Sequence, residues 1–281
     1  LYTPFNPINK SVDYGAFSRL INRQLSANVN ALVALGTTGE AATITEEERR
    51  EIIKFCVKEV NGRIPLIVGS GSNCTATAVK FSREAEESGA DGLLVVTPYY
   101  NKCNDDGLYA HYSAVAKSTS LPIIVYNVPS RTGFNVKPIV YRQLAEIDNV
   151  VAIKEANCCD EQLNGVLDNV KDILAVYCGS DDKLIDVLRR GGKGTISVAS
   201  NIIQSKIVDY ISDFENYFKT EFYKEIVNIL QSDVNPIPLK YMVKLLYNEG
   251  YGLRLPLTEA KNEVKETILK IYQKMGDGKC L

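Results

Sequence analysis

A single lysine ends a short apolar run at residues 150–156, which read Val-Val-Ala-Ile-Lys-Glu-Ala. An uninterrupted apolar run of this length favours a buried strand. At the end of such a strand an ammonium group lies against a medium of low dielectric constant, which disfavours its charged form. The neutral amine can then attack a carbonyl carbon and form a Schiff base. Because a strand-end lysine can also extend along its aliphatic stem to water, Lys154 is a candidate imine-forming residue with a structural alternative.

Further polar side chains stand where other apolar runs stop. Tyr126 ends the run that precedes that of the lysine, and a phenol beside a lysine can carry protons during imine formation. Thr37 and Thr38 offer hydroxyl and N–H groups suited to a small carboxylate, although an ordinary turn has the same composition. Arg131, in a Pro-Ser-Arg-Thr-Gly loop, can grip another carboxylate with two hydrogen bonds, or can be a solvated loop residue.

The composition narrows the chemistry further. His111 is the only histidine among 281 residues, whereas most metal hydrolases and metal-dependent aldolases need two or three imidazole ligands. A Ser-His-Asp mechanism would also depend on that residue, whose helical context indicates a surface or packing role. The seven cysteines are odd in number and form no C-x-x-C pair, so we expect reduced thiols. Lysine, tyrosine and threonine must therefore carry any catalysis, and no metal or other cofactor is expected.

Charge and hydropathy patterning exclude several partners. The net charge of −2 and the isoelectric point near 5.7 arise from interspersed acids and bases, without the basic block of a nucleic-acid-binding protein. No apolar stretch approaches the roughly 20 residues that span a bilayer, and residues 1–30 lack the pattern of a signal peptide. We therefore expect a cytoplasmic protein with neither a nucleic-acid nor a membrane partner.

Apolar runs and helical periods alternate through the first 200 residues. Seven runs predict strands at residues 31–35, 64–69, 92–97, 122–127, 150–156, 173–178 and 194–199. Helical periods predict helices at residues 13–27, 46–60, 75–88, 108–119, 137–147, 161–169 and 183–190. Residues 1–5 read as the end of another strand whose beginning is missing, which indicates a truncated N-terminus.

Eight such units predict an α/β fold, a (β/α)₈ barrel over residues 1–200. An open doubly wound sheet is the alternative, but the first strand-to-helix turn lacks the G-x-G-x-x-G pattern. Beyond residue 200 the pattern is helical, at residues 214–230, 236–249 and 258–275. We therefore expect a C-terminal three-helix region, residues 201–281, packed on the barrel.

The active site of such a barrel lies at the carboxyl ends of its strands. The candidate site residues at the ends of these runs are Thr37, Ser70, Thr97, Tyr126, Lys154, Gly179 and Ile196. Tyr126 and Lys154 end successive strands, which we expect to lie about 4.8 Å apart as neighbours.

Six stretches, in order, carry a resemblance to a known family. They occupy residues 36–40, 96–101, 126–133, 153–156, 194–198 and 235–240. Together they resemble the dihydrodipicolinate synthase family of pyruvate-dependent class I aldolases, which includes N-acetylneuraminate lyase. The resemblance covers essentially the whole chain.

The resemblance implies a condensation of pyruvate with L-aspartate-4-semialdehyde to 4-hydroxy-tetrahydrodipicolinate, in lysine (diaminopimelate) biosynthesis. Lys154 would form the imine with pyruvate, while Tyr126, Thr37 and Tyr100 would relay protons. Tyr100 would be donated by a neighbouring subunit, so the family resemblance also implies a homo-oligomer, a tetramer.

The resemblance also implies the binding residues. Thr38 would hold the pyruvate carboxylate, and Arg131 would hold the carboxylate of the semialdehyde. Ile196 would line the pocket of the lysine, and Gly179 is a further candidate at the carboxyl end of its strand.

This chain departs from the family at the site where free lysine inhibits some members. Glu46, Arg49 and Thr77 stand where histidines and a glutamate are expected, although Asn73 and Tyr99 fit the pattern. Because Arg49 would repel an ammonium group, we expect L-lysine to inhibit weakly or not at all.

Two other functions are alternatives. One is a related pyruvate aldolase that acts on a sugar acid, and Arg131 argues against it because a neutral polyol chain needs no cation there. The other is a catalytically silent barrel that senses a ketoacid, which the combination of Lys154, Tyr126 and Thr37 disfavours.

Overall fold

The computed structural model describes residues 1–157, 159–217 and 221–274. The chain forms two compact units. The first comprises Leu1–Ile64 with Val198–Leu281, and the second comprises Pro65–Ser197. The predicted boundary at residue 200 follows the change from alternating strands and helices to helices alone, and it stays a prediction.

The strands follow the predicted apolar runs, shortened by one or more residues at most of their ends. The first unit contributes the strand Leu32–Ala34 (β1). The second unit contributes Leu66–Gly69 (β2), Gly92–Val96 (β3), Ile123–Asn127 (β4), Val150–Glu155 (β5), Ala175–Cys178 (β6) and Gly194–Thr195 (β7).

The helices of the second unit separate these strands. They are Thr75–Glu87 (α3), Asp105–Ala116 (α4), Pro129–Thr132 (α5), Pro138–Leu144 (α6), Asp160–Val170 (α7) and Leu184–Arg189 (α8). The first unit holds Tyr14–Ser26 (α1), Glu46–Val60 (α2), Gln204–Ser212 (α9), Phe214–Tyr217 (α10), Glu221–Leu230 (α11), Ile237–Tyr247 (α12) and Asn262–Lys274 (α13).

Strands β2 to β7 pair in chain order, and every pair is parallel. This arrangement follows from the apolar runs, because each strand is separated from the next by a helix that returns the chain to the same edge. The carboxyl ends of these strands therefore lie along one edge of the sheet in the second unit.

Helix α2 has the predicted bounds, and reciprocal hydrogen bonds fix its first turn. The hydroxyl of Thr45 accepts a hydrogen bond from the N–H of Glu48 at 3.2 Å. The carboxylate of Glu48 in turn accepts one from the N–H of Thr45 at 3.1 Å. This reciprocal capping box fixes the first turn of α2.

The prediction of a strand at residues 1–5 is wrong, because this segment forms no regular ladder. The N–H of Tyr2 donates to the side chain of Asn201 at 3.1 Å, and Pro4 has no N–H to donate. Phe5 forms only isolated bridges, to Val12 and to Tyr251.

Other corrections concern the last strand and the helices. Strand β7 stops at Thr195, and the backbone turns helical at Val198 before a 3₁₀ turn at Ala199–Asn201. Helices α5 and α9 were not predicted from the sequence. The predicted helix at 214–230 corresponds to α10 and α11, and residues 218–220 lie outside the described residues, as does Met275 at the predicted end of α13.

The described part of the chain contains five of the seven cysteines and the single histidine. Five cysteines are free thiols, whereas Cys158 and Cys280 lie outside the described residues. His111 is buried, and its Nδ1 lies 2.9 Å from the hydroxyl of Thr75. Within the same described residues, no helix has both the length and the apolar character needed to cross a bilayer.

Candidate functional site

Lys154 and Tyr126 are direct register partners on neighbouring strands β5 and β4, as predicted. Both side chains are almost fully buried, with 8% and 6% of their surface exposed. The Nζ atom of Lys154 lies 4.4 Å from the centre of the Tyr126 ring. The ammonium therefore rests on the negative face of an aromatic ring, away from bulk water.

This pair can perform carbonyl chemistry. A neutral lysine amine is a nucleophile toward a ketone, and an adjacent phenol can deliver and remove the protons of the carbinolamine. The contact places the Tyr126 ring directly beside the Nζ atom at which this chemistry would take place. The alternative in which Lys154 extends to open water is not what the structure shows, because the side chain is buried against Tyr126.

Two more predicted residues lie at the carboxyl ends of the following strands. The N–H of Gly179, directly after β6, donates to the carbonyl of Glu155 at 2.7 Å. A side chain at Gly179 would place its Cβ 2.8 Å from the Cβ of Ala156, so only glycine fits here without a shift of the backbone. The N–H of Ile196, directly after β7, donates to the carbonyl of Cys178 at 2.9 Å. The ends of β5, β6 and β7 are thus joined by backbone hydrogen bonds.

Arg131 and Tyr100 lie in two adjacent segments of the second unit. Arg131 is exposed on the short helix α5, which follows β4 after one residue. Tyr100 is 90% exposed and has a φ of +69°, a left-handed conformation that is uncommon for a tyrosine. Its N–H donates to the carbonyl of Thr132 at 3.4 Å, so the loop of Tyr100 lies against α5.

The two predicted threonines form a 3₁₀ turn, Thr37–Gly39, after β1 in the first unit. The hydroxyl of Thr38 accepts a hydrogen bond from the side-chain amide of Asn235 at 3.0 Å. The hydroxyl of Thr3 donates to the carbonyl of Gly39 at 2.6 Å and fixes the end of the turn.

Sequence reasoning gave no role to a buried ion pair beside this turn. Glu40 follows the turn in a left-handed conformation, and its carboxylate lies 2.5 Å from the ammonium of Lys240. Both side chains are fully buried. The only sequence signal was the position of Lys240 at the end of the Asn-Pro-Ile-Pro-Leu-Lys stretch.

The residues considered for lysine inhibition are placed as follows. Glu46 is exposed at the start of α2, and Arg49 is buried one turn later. In the second unit, Thr77 is half-buried on α3, Tyr99 is exposed, and Asn73 is half-buried before α3. The weak response to L-lysine stays a prediction.

Known proteins resemble this chain over almost its whole length. The sequence model of the dihydrodipicolinate synthetase family matches residues 1–275. The 4-hydroxy-tetrahydrodipicolinate synthase of Alkaliphilus oremlandii is 43% identical over 282 residues, which cover 98% of this chain and 97% of the relative.

Solved structures resemble it equally. The crystal structure of dihydrodipicolinate synthase from Thermotoga maritima matches with a TM-score of 0.94 at 38% identity, covering 98% of this chain and 96% of that one. The chloride-inhibited dihydrodipicolinate synthase of Acinetobacter baumannii, complexed with pyruvate, matches with a TM-score of 0.91 at 34% identity, covering 98% and 97%. The predicted (β/α)₈ fold class with a C-terminal helical region is confirmed by these matches.

Proposed function

This chain belongs to the dihydrodipicolinate synthetase family, and we propose that it condenses pyruvate with L-aspartate-4-semialdehyde through a Schiff base on Lys154. The chain is then a lyase of lysine (diaminopimelate) biosynthesis whose product is 4-hydroxy-tetrahydrodipicolinate. The observation that carries the proposal is the buried contact of the Lys154 amine with the Tyr126 ring, 4.4 Å from its centre.

The first step forms the imine. The Nζ atom of Lys154 adds to the ketone carbon of pyruvate, and loss of one water molecule from the carbinolamine leaves the imine. The hydroxyl of Tyr126 gives a proton to the departing oxygen and recovers one afterwards. The family resemblance assigns Thr37 and Tyr100 to the same proton relay. The pyruvate complex of the Acinetobacter relative supports pyruvate as the first substrate.

The second step forms the carbon–carbon bond. Loss of a methyl proton converts the imine into an enamine, whose terminal carbon attacks the aldehyde carbon of the semialdehyde. The amine of the second substrate then displaces Lys154 from the imine carbon, which closes the ring and frees the enzyme. In this proposal Thr38 binds the pyruvate carboxylate and Arg131 binds the carboxylate of the semialdehyde. Ile196 and Gly179 line the pocket around Lys154.

The proposal includes a homo-oligomer, a tetramer by family resemblance, in the cytoplasm. Tyr100 supports it, because a tyrosine that is 90% exposed and held in a left-handed conformation is available to a neighbouring subunit. The aromatic ring would gain burial in such an interface.

Borohydride reduction in the presence of pyruvate tests the central step. We expect a reduced pyruvyl adduct on Lys154 and loss of activity, because reduction converts the imine into a stable secondary amine. Lys240 is the internal control, since it is a second buried lysine and should carry no adduct. An adduct on another lysine, or full activity of Lys154→Ala, would contradict the proposal. Mass spectrometry of the digested protein distinguishes these outcomes.

A further inference from the structure

Glu155 follows the imine-forming lysine directly, and the mechanism above gives it no role. Its side chain is completely buried. Successive side chains of a strand point to opposite faces of the sheet, so Glu155 and Lys154 occupy opposite faces of β5. The contacts of Glu155 agree with this, because two of its hydrogen-bond donors lie on helices α6 and α7.

At least four residues donate hydrogen bonds to the Glu155 carboxylate. Asn127, at the end of β4, donates its side-chain amide at 2.8 and 3.1 Å to the two oxygens. Tyr141 of α6 donates its hydroxyl at 3.0 Å, and Gln162 of α7 donates its amide at 3.1 Å. The backbone N–H of Asn157 donates at 2.7 Å. One buried carboxylate thus joins two strands and two helices.

The backbone fixes which way the two amides face. The Oδ1 atom of Asn127 accepts from the N–H of Val136 at 3.2 Å, so its NH₂ group must face Glu155. The Nε2 atom of Gln162 also donates to the carbonyl of Val136 at 2.9 Å, which fixes its orientation too. The group at position 155 must therefore accept hydrogen bonds, as an ionised carboxylate does.

The location of this carboxylate gives it a consequence for catalysis. Asn127 and Glu155 are register partners, one residue beyond the partners Tyr126 and Lys154 on the same two strands. Resting on the proposed function of Lys154, we propose that Glu155 is a positioning residue: its carboxylate ties together the ends of β4 and β5 and thereby holds the Lys154 amine over Tyr126. Glu155 itself touches no substrate in this proposal.

The same strand pair offers a matched control at its other end. The side-chain amide of Asn149, directly before β5, donates to the carbonyls of Ala116, Thr119 and Leu121 at 3.2, 3.1 and 3.2 Å. Asn149 lies five residues from Lys154, about 16 Å along an extended strand. Glu155→Gln places an amide among donors, and Asn149→Asp places a carboxylate among acceptors. Both substitutions keep the side-chain shape, but the first turns one acceptor into a donor and the second turns the donor into an acceptor.

The experiment measures the rate of borohydride trapping on Lys154 at saturating pyruvate, with kcat, KM and thermal stability, for both variants and the wild type. We expect both variants to lose thermal stability. Only Glu155→Gln should slow trapping and kcat, on the order of 10- to 100-fold, because a small misplacement of reacting groups has effects of that size. Asn149→Asp should trap at the wild-type rate.

The outcomes separate the two proposals. Trapping by Glu155→Gln at the wild-type rate would overturn the positioning role, as would equal slowing in Asn149→Asp. Absence of an adduct in the wild type would instead overturn the proposed function itself. If Glu155→Gln does not fold, Tyr141→Phe decides, because it removes one donor and keeps the ring. Its trapping should be slower by about 2- to 10-fold, the equivalent of one hydrogen bond, and an unchanged rate would reject the positioning role.

Discussion

Two buried glutamates, one in each compact unit, follow proposed site residues and are stabilised in different ways. Glu155 comes directly after Lys154 and is surrounded by uncharged donors. Glu40 comes directly after the Thr37–Gly39 turn and lies beside the ammonium of Lys240. Glu40 also accepts a hydrogen bond from the N–H of Arg254 at 3.2 Å.

The cost of burial falls on different groups in the two clusters. Burial raises the pKa of the Glu155 carboxyl, and the hydrogen bonds from Asn157, Gln162, Asn127 and Tyr141 offset only part of this effect. In the other cluster, burial lowers the pKa of the Lys240 ammonium to about 8, although the charge of Glu40 opposes the shift. The ammonium is further held by the carbonyl of Gly252 at 2.6 Å and by the ring of Phe5.

The comparison shows how each cluster should fail. Uncharged donors that lose their acceptor can form other hydrogen bonds in part. Each buried donor that is left without a partner lowers the stability by about 1–3 kcal/mol. A buried ammonium that loses its carboxylate must either carry its charge in a medium that solvates it poorly or give up its proton, and both cost free energy of folding. We therefore expect the ion pair to dominate stability in the first unit, and the uncharged donors to control geometry in the second.

Glu40→Gln should have the largest effect on stability. The substitution keeps the shape of the side chain but leaves the Lys240 ammonium buried without its anion, which costs about 3–5 kcal/mol. Urea denaturation monitored by circular dichroism measures the change in the free energy of unfolding. The double variant Glu40→Gln/Lys240→Met is the control, and it should recover much of the loss because no buried charge remains. A smaller loss of unfolding free energy in Glu40→Gln than in Glu155→Gln would contradict the dominance of the ion pair in stability.

The pH dependence of stability should show the second largest effect. Lys240 has a pKa of about 8 in the folded chain and about 10.4 when unfolded, so between these values the unfolded chain binds more protons. The free energy of unfolding should then rise with pH, on the order of 1 kcal/mol per pH unit from this group. Urea denaturation between about pH 8 and about pH 10, which lies inside this window, measures the slope.

The reference for that slope is again Glu40→Gln/Lys240→Met, which lacks the titrating lysine. Its free energy of unfolding should change less with pH than that of the wild type over the same range. Equal slopes in the two proteins would mean that burial does not lower the pKa of Lys240, and the contrast between the two buried glutamates would be lost.

The sequence predicts those parts of the site that depend on local patterns. Tyr126 and Lys154 end successive apolar runs, and parallel pairing in chain order makes such residues neighbours. The start of α2 also depends on a local pattern, because its capping box lies within four residues. In each case the partners are close in sequence or are related by one strand–helix–strand step.

The buried clusters could not be predicted, because their partners are distant in sequence and ordinary in context. Glu40 and Lys240 are separated by 200 residues, and a lysine inside an apolar helix stretch indicates no partner by itself. Tyr141 and Gln162 occupy buried faces of α6 and α7, where their types equally suit simple packing. Only the folded chain shows that both reach the same carboxylate as Asn127.

The smallest expected effect concerns an uncharged hydrogen bond of the first unit, which orients the hydroxyl of a proposed site residue. Asn235 donates to the hydroxyl of Thr38 at 3.0 Å, so Asn235→Ala should leave that hydroxyl free to rotate. If Thr38 binds the pyruvate carboxylate, KM for pyruvate should rise by about 2- to 10-fold, and stability should fall by about 1 kcal/mol. Steady-state kinetics in a double-mutant cycle with Thr38→Val tests this, because the effect of Asn235→Ala on KM should vanish once the hydroxyl is absent. An effect that persists in the Thr38→Val background would show that Asn235 stabilises the fold of the turn rather than the hydroxyl. The uncharged bond would then have the same kind of role as the ion pair of Glu40.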